Sequence, residues 1–380
     1  FEGYLFGATL PTEDFHKKVD LQFDNVEHRL TNIGDQAWVP WYTMHKIVAG
    51  LLDCYVLAGN EKALATAKRL GDWIANRANS WNEALQRVVL DTEYGGMNDV
   101  MYELYKVTGK ESYREAAHQF DEVDLFEAVL SGADNVLNAK HANTTIPKFL
   151  GALCRYEVDS SEKRYFEYAT SFFDMVLQRH TYVTGGNSED EHFGADNVLN
   201  LERTNCNNET CNTYNMLKLS RRLFRITGEK KYADYYEKTL INAILSSQDH
   251  KTGRTMYFQP MATGYQKIFG TVDSNFWCCT GSGMENFTKL QDSIYFQTEE
   301  FLIINQFISS EVTTDAIVLS QEGRLTKEDD IRLTIRHTDG KKGLMIRVPE
   351  WAKDATIEDA NGDVKNVDKE SGYWKIPASM

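Results

Sequence analysis

The feature that most constrains the fold is a short sequence motif that recurs along the N-terminal part of the chain. In each copy an apolar helical segment ends at an aromatic residue, a Gly or Ser follows at the position of a helix C-cap, and a second helix begins. The clear copies are residues 55–61, 105–111 and 224–230, and a weaker copy is residues 156–162. Successive copies up to residue 162 are about 50 residues apart, a spacing that predicts a repeated hairpin of two helices.

The repeat predicts a mainly α fold, an (α/α)6 barrel that lacks its first helices here. Apolar periodicity predicts helices over residues 40–58, 61–78, 95–108, 111–130, 142–157, 162–180, 209–227, 229–247 and 282–297. A barrel of six hairpins needs twelve helices, so this count of nine places three more helices before Phe1. Residues 181–208 form a predicted loop rich in Gly, Asn and Asp, and long loops on a repeat scaffold are often functional.

The hydrophobic period changes from about 3.6 to about 2 near residue 299, which predicts β-strands in the rest of the chain. Asn361-Gly362 is a strong signal for a hairpin turn. We therefore expect two domains, an α/α barrel over residues 1–298 and a β-sandwich over residues 299–380, the latter incomplete.

The charge of the chain limits its partners. The 380 residues include 41 Lys and Arg against 56 Asp and Glu, a net charge of −15. Such a surface repels phosphate backbones and anionic lipid, so neither nucleic acid nor a membrane surface is an expected partner. No apolar run approaches the ~18–20 residues of a membrane-spanning helix, so a soluble protein is expected. The oligomeric state is left open.

A metal site is the first chemical hypothesis that the residues suggest. Glu209 and Cys211 open one predicted helix, and the adjacent Cys278 and Cys279 precede another. Three thiols and a carboxylate can complete a tetrahedral Zn²⁺ site, because zinc binds thiolate well. Separate buried thiols or a Cys278–Cys279 disulfide are the alternatives, because the spacing is not that of a CxxC pair.

Several motifs in the same order resemble the β-L-arabinofuranosidases of glycoside hydrolase families 127 and 146. The motif sequences are closer to those of family 146. The resemblance covers about residues 38–296 and continues more weakly into the β-rich tail. Its most specific segments are Gly185-Gly-Asn-Ser-Glu-Asp-Glu191-His-Phe193, Glu209-Thr-Cys211 with the helix that follows, and Trp277-Cys-Cys-Thr-Gly-Ser-Gly283. Residues 41–53 and 140–147 also look like that group.

The resemblance implies a role for each matching residue. Zinc ligands are implied at Glu209, Cys211, Cys278 and Cys279. Cys278 matches the nucleophile and Glu191 the general acid/base of a retaining mechanism. Sugar contacts are implied at His45, His141, Glu237 and Tyr257. Zinc would keep Cys278 as a thiolate, since a free Cys with a pKa near ~8.5 is mostly protonated at neutral pH.

Plainer interpretations accompany these roles. An acidic loop residue such as Glu191 is usually only solvated, and a lone histidine or a helical glutamate is more often structural. Trp38, Trp41 and Trp277 could be sugar platforms, although core packing is the usual role of tryptophan. Cys206 lies near Glu209 in sequence but matches no ligand of the family.

The sequence thus predicts an exo-acting, retaining β-L-arabinofuranosidase that releases L-arabinose from plant-derived oligosaccharides or glycoconjugates. The alternatives are a carbohydrate-binding α/α toroid with structural zinc and no turnover, and a sugar epimerase of the α/α-toroid type. Reduced, zinc-bound thiols predict a cytoplasmic protein.

Overall fold

The computed structural model describes residues 21–28, 39–324, 328, 330–364 and 369–379. The chain divides into two compact units, which are described separately. The first unit contains the chain up to Thr181 together with Asn187–Glu202, and the second contains Tyr182–Gly186 and the chain from Arg203 onward. Trp38 lies outside the described residues. The predicted domain boundary near residue 298 stays a prediction.

The regular secondary structure in the described part of the first unit is helical. Its helices are α1 Leu21–His28, α2 Pro40–Ala58, α3 Glu61–Ala78, α4 Glu83–Thr92, α5 Met97–Thr108, α6 Glu111–Gln119, α7 Val123–Leu130, α8 Ala142–Val158 and α9 Lys163–Arg179. Helices α2, α5 and α8 contact one another in turn, and α3 contacts α6. The helices of the repeat therefore pack in two rows, as the repeated motif predicts.

The helix ends confirm that the Gly of each clear copy of the repeated motif is a helix C-cap. Gly59, Gly109 and Gly228 follow α2, α5 and the later helix that ends at Thr227, with φ angles of 65°, 67° and 68°. This left-handed conformation is the usual C-cap and favours glycine. The weaker copy ends differently, because Asp159 after α8 is extended and its carboxylate accepts hydrogen bonds from Ser161.

Aromatic packing forms the core of this unit. The indole of Trp41 is 0% exposed, and its ring centroid lies 4.7 Å from that of Phe23 and 5.2 Å from that of Phe120. Trp73 and Trp81 pack on it at 5.7 and 5.3 Å. Trp41 is therefore a core residue and not a sugar platform.

Two helix predictions in this unit are wrong. The single helix expected over residues 111–130 is interrupted after Gln119. The buried Asp121 at the break accepts hydrogen bonds from Asn98 and Tyr102 and is ion-paired with Arg155, so long-range bonds outweigh local helix propensity. Helix α4 was not expected at all, although the Asn82 side chain caps its start by accepting from the Leu85 N–H.

The second unit begins with a helical hairpin and continues into β structure. Its helices are α10 Thr210–Thr227, α11 Lys230–Thr239 and α12 Cys278–Thr288. The helix expected over residues 229–247 ends early, because α11 continues as a π-helical turn, Leu240–Ile244, and a 3₁₀ turn, Leu245–Ser247. The helix expected over residues 282–297 starts four residues earlier and gives way to a β-strand from Tyr295.

The strands of this unit form two sheets. They are β1 Tyr295–Gln297, β2 Phe301–Ile304, β3 Ile308–Thr313, β4 Ile317–Arg324, β5 Arg332–Thr338, β6 Gly343–Arg347, β7 Lys369–Glu370 and β8 Tyr373–Ile376. One sheet has the order β1-β2-β6-β8-β7, in which β2 and β6 are parallel, and the other is the antiparallel sheet β3-β4-β5. Leu302, Ile304, Ile317, Leu319, Leu344 and Ile346 share one core between the sheets.

Candidate active site and metal centre

The start of α10 is anchored to a neighbouring segment through Thr210. Its backbone N–H donates to the Tyr257 carbonyl at 3.0 Å, and its hydroxyl donates to the Met256 carbonyl at 2.8 Å. These two bonds fix Glu209 and Cys211, on either side of Thr210, beside the segment that carries Tyr257. The predicted opening of a helix by Glu209-Thr-Cys211 is confirmed.

Cys278 and Cys279 are the first two residues of α12, and not loop residues before a helix. The helix predicted over residues 282–297 leaves out residues 278–281, yet these residues are helical. Packing explains Gly283, since a Cβ there would lie 2.6 Å from the Thr255 hydroxyl. The glycine lets α12 approach the segment that precedes Tyr257.

The four predicted metal ligands meet in one cluster. One ligand atom each from Glu209, Cys211, Cys278 and Cys279 lies within 4.8 Å of the others. The Cys279 thiol is 3.3 Å from the Cys211 sulfur and 3.6 Å from a Glu209 oxygen. Three thiols and a carboxylate at such separations fit a tetrahedral ion with Zn–S bonds of ~2.3 Å, so the donor set suits zinc.

The cluster exposes one of its thiols. Glu209, Cys211 and Cys279 are buried, whereas Cys278 is exposed to solvent. The Tyr257 hydroxyl lies 3.3 Å from the Cys278 sulfur. Every cysteine of the chain falls within the described residues, and all six are free thiols, so a Cys278–Cys279 disulfide is not formed.

Hydrogen bonding concentrates negative charge on Cys278. Bonds from the thiols of Cys211 and Cys279, and from the Tyr257 hydroxyl, lower the pKa of Cys278 far below that of a free thiol. Burial raises the pKa of Cys279 in turn, and the bond to Cys278 raises that of Cys211. The exposed sulfur is thus the favoured thiolate of the cluster even before an ion adds its own charge.

Glu191 lies at a tight turn in the first unit. Backbone bonds join Glu189 and His192 in both directions, and the central residues Asp190 and Glu191 have φ angles of 43° and 68°. Two positive φ angles are typical of a type I′ turn and are uncommon for glutamate. This strained conformation at the predicted acid/base is the kind of feature that clusters at functional sites.

The turn places Glu191 beside His141, the residue before α8. The Glu191 carbonyl accepts from the Ala142 N–H at 2.7 Å, and Phe193 and Lys140 are also paired through the backbone. His141 Nε2 and Glu191 Oε2 are 3.4 Å apart. Two residues that are 50 positions apart in sequence therefore form one carboxylate–imidazole pair.

A line of rings connects this pair to His45. The ring centroids of His141 and Tyr94 are 5.2 Å apart, those of Tyr94 and Tyr42 are 5.4 Å apart, and those of Tyr42 and His45 are 4.8 Å apart. His45 is 6% exposed and packs on Gly96, where a Cβ would come within 2.5 Å of its ring. The first unit thus brings His45, His141 and Glu191 together in one row. Sequence reasoning missed Tyr42, although it lies inside the matched segment 41–53, and it missed Tyr94, which lies outside the matched segments.

A buried carboxyl group, Glu93, supports the helix that carries Tyr42 and His45. Helix α2 begins after Val39, whose side chain cannot act as a cap. The Glu93 carboxyl accepts from the Tyr42 N–H at 3.3 Å and also interacts with the Trp41 N–H. It therefore caps α2 from outside the helix. Burial raises the pKa of Glu93 to about 8, and these backbone bonds and Lys148 only partly oppose that shift.

We expect Glu93 to make folding stability depend on pH. Between pH ~4.5 and ~8 the unfolded chain has an ionised Glu93 while the folded chain keeps its proton, so the free energy of unfolding falls as pH rises, by up to about 4 kcal/mol. Denaturant unfolding at pH 5, 6.5 and 8 should show that Glu93→Gln flattens this fall. Glu83→Gln, an exposed change at the start of α4, the helix that ends just before Glu93, is the control. Equal pH slopes for wild type and Glu93→Gln would contradict this assignment.

Glu237 is held by an ion pair in the second unit. Arg347, which is 0% exposed, binds Glu237 and Asp234, and the Trp351 indole N–H donates to the other Glu237 oxygen at 3.0 Å. Glu237 is buried, not a surface residue of an amphipathic helix. The structure brings Tyr257 to the metal cluster and gives Glu237 an arginine partner that the sequence did not reveal.

The fold and the site agree with what the chain resembles among known proteins. The chain combines a repeat of helical hairpins, a domain of two sheets and a cluster of three thiols and a carboxylate. The sequence profile described as "Beta-L-arabinofuranosidase, GH127 catalytic domain" matches residues 2–292, and the profile of the GH127 middle domain matches residues 301–379. The chain belongs to this family, glycoside hydrolase family 127. No curated protein matches the chain.

Solved structures of family members share the fold. The GH127 β-arabinofuranosidase BT3674 superposes with a TM-score of 0.72 at 20% identity, over 93% of this chain and 58% of its own. Ara127N-Se, a GH127 β-L-arabinofuranosidase from Geobacillus stearothermophilus T6, gives a TM-score of 0.73 at 18% identity, over 99% of this chain and 63% of its own. The chain thus spans about three fifths of these relatives. The predicted fold class, an α/α barrel followed by a β-sandwich, is confirmed.

No helix in the described part of the chain is both long enough and apolar enough to cross a membrane.

Proposed function

We propose that the chain is the catalytic part of a retaining, exo-acting β-L-arabinofuranosidase with a zinc-bound cysteine nucleophile. The observation that carries the proposal is the cluster of three thiols and a carboxylate in which only Cys278 is exposed. Membership of family 127 supports the substrate class, since two similar structures are named β-arabinofuranosidases. Plant-derived arabinose-containing oligosaccharides or glycoconjugates are the proposed substrates.

Glu209, Cys211, Cys278 and Cys279 would hold the zinc ion. The ion would supply positive charge that keeps the coordinating thiols deprotonated at neutral pH. Glu209 and Cys211 are fixed by the bonds that the Thr210 N–H and hydroxyl donate, and the Ser282 hydroxyl donates to the Cys211 sulfur at 3.0 Å. Such outer contacts orient metal ligands.

In the first step the Cys278 thiolate attacks the anomeric carbon and the bond from that carbon to the glycosidic oxygen breaks. Glu191, in its protonated form, gives its proton to the departing oxygen. A sugar-to-sulfur bond now joins L-arabinose to Cys278. In the second step Glu191 takes a proton from water, water oxygen attacks the same carbon, and Cys278 leaves as thiolate. Two inversions return the β configuration.

The remaining matched residues would bind the sugar. His45 and His141 offer imidazole nitrogens in the row of rings, and Tyr257 offers a hydroxyl beside Cys278. Glu237 already binds Arg347 and Trp351, but each carboxylate oxygen can accept a second hydrogen bond. Its arginine partner fixes the orientation of this carboxyl group.

One alternative is a carbohydrate-binding toroid with structural zinc and no turnover, and another is an epimerase that works through histidines. A structural zinc site is normally closed, whereas this cluster exposes one thiol. An epimerase would not need Cys278. Free thiols also suit the proposed cytoplasmic location, since an oxidising compartment favours disulfides.

A zinc-loading experiment tests the proposed site and activity together. Wild type should bind about one zinc per chain and hydrolyse an aryl β-L-arabinofuranoside, and a chelator should abolish turnover. Cys211→Ala should weaken zinc binding by at least about tenfold and lower turnover in parallel. Cys206→Ala is the matched control, because Cys206 is a nearby thiol outside the cluster. Zinc-bound wild type without turnover on any β-L-arabinofuranoside would favour the binding module instead.

A further inference from the structure

Two exposed aromatic residues directly precede the cysteine that we assign as nucleophile. Phe276 is 77% exposed and Trp277 is 61% exposed. In contrast, Trp41 and Trp81 in the first unit are 0% and 6% exposed. An indole of this size is rarely left in water unless it serves recognition, because burying it would stabilise the fold.

No structural role is evident for the side chain of Trp277. It is the N-cap residue of α12, and among the described residues its indole makes no capping bond to that helix. Its backbone carbonyl accepts from the Thr280 N–H at 3.0 Å, and this bond does not depend on the side chain. Truncating the indole would therefore leave the start of α12 bonded as before.

The chain passes from solvent to the interior across Cys278. Trp277 is 61% exposed, Cys278 is exposed, and Cys279 is 1% exposed. A sugar attacked at the Cys278 sulfur must carry its leaving group away from the buried ligands, toward solvent. Trp277 is likewise exposed and directly precedes Cys278, the residue that carries the reacting sulfur.

We propose that Trp277 is the platform for the leaving group, the sugar ring to which the arabinose is attached. This inference rests on the proposed function. The C–H faces of a sugar ring carry slight positive charge and the face of an indole carries slight negative charge, so the two stack favourably. Stacking favours a neutral partner. The net charge of −15 on the chain also disfavours an anionic partner.

The proposal makes Trp277 a determinant of specificity, separate from the residues that bind the arabinose itself. A leaving group is present only until the first bond breaks, so Trp277 contributes to binding and to the first step. It contributes nothing to the attack of water. Substrates with a very small leaving group should not depend on it.

The test compares Trp277→Ala, Trp277→Phe and the control Ile268→Ala, an exposed apolar residue in the segment before α12. For a disaccharide with a β-L-arabinofuranosyl group at its non-reducing end, kcat/KM should fall about tenfold in Trp277→Ala, mostly through KM. For methyl β-L-arabinofuranoside the change should stay within about twofold. Trp277→Phe should keep most of the activity, Ile268→Ala should match wild type, and zinc content should be equal in all.

Two readouts keep this inference distinct from the proposed function. Hydrolysis of either substrate by wild type decides the proposed function. Calorimetric binding of the disaccharide to zinc-loaded protein decides the role of Trp277, and an approximately tenfold weaker binding by Trp277→Ala supports it even without turnover. Unchanged disaccharide binding in Trp277→Ala, or an equal loss on both substrates, would overturn the inference.

Discussion

Cys278→Ala is expected to lower kcat for an aryl β-L-arabinofuranoside by about 10⁴-fold or more. The variant has no sulfur to form the bond to the sugar, and removing a nucleophile costs on this order in other covalent enzymes. Glu209, Cys211 and Cys279 remain as donors, so zinc binding should weaken but survive at high metal concentration. Turnover and bound zinc should be measured in the same samples.

Two comparisons make this result specific to the nucleophile. Cys206→Ala removes a thiol that lies outside the cluster, and its kcat should equal that of wild type. Excess zinc should restore metal content in Cys278→Ala but not its activity. If Cys278→Ala loaded with zinc turned over at the wild-type rate, Cys278 would be a ligand only and the mechanism would be wrong.

Glu191→Gln is expected to lower kcat/KM for a β-L-arabinofuranosyl disaccharide by about 10²–10⁴-fold, the usual contribution of general acid catalysis. A nitrophenyl leaving group needs no proton, so its first step should survive and the water step should become limiting. Azide attacks without a general base, and it should therefore raise the rate of this variant while leaving wild type unchanged. Rates with and without azide are the measurement.

Asp190→Asn is the matched control for Glu191. Asp190 lies in the same turn with a φ angle of 43° and is exposed, and Asn tolerates that backbone conformation. Its kcat/KM should stay within about twofold of wild type. A similar loss in both variants, or no azide response in Glu191→Gln, would assign Glu191 to shaping the turn instead of catalysis.

Local signals in the sequence predicted most of the helical part. Gly59, Gly109 and Gly228 mark helix ends because a left-handed C-cap favours glycine whatever the tertiary context. The break at Asp121 was missed because its cause is a set of bonds to distant side chains. The predicted helix over residues 282–297 missed the first turn of α12, residues 278–281, where Gly281 locally disfavours helix.

The candidate site also has a part that the sequence predicted and a part that it did not. The cluster of Glu209 with three cysteines was predictable because cysteine and glutamate can be recognised in a sequence as residue types that bind metal ions. The pairing of His141 with Glu191 depends on how a loop returns to the start of α8, which no local pattern encodes. The same holds for Arg347, whose burial against Glu237 is a property of the folded second unit. The closer likeness to family 146 stays a prediction.

The most direct test of the central claim is mass spectrometry of wild type quenched with acid during turnover of an aryl β-L-arabinofuranoside. Our account predicts a peptide containing Cys278 that is heavier by one pentosyl group, with fragmentation placing the added mass on Cys278 and Cys278→Ala showing none. A pentosyl group on another residue would contradict the account. So would rapid turnover that releases the inverted anomer with no labelled peptide, because inversion needs no bond to sulfur.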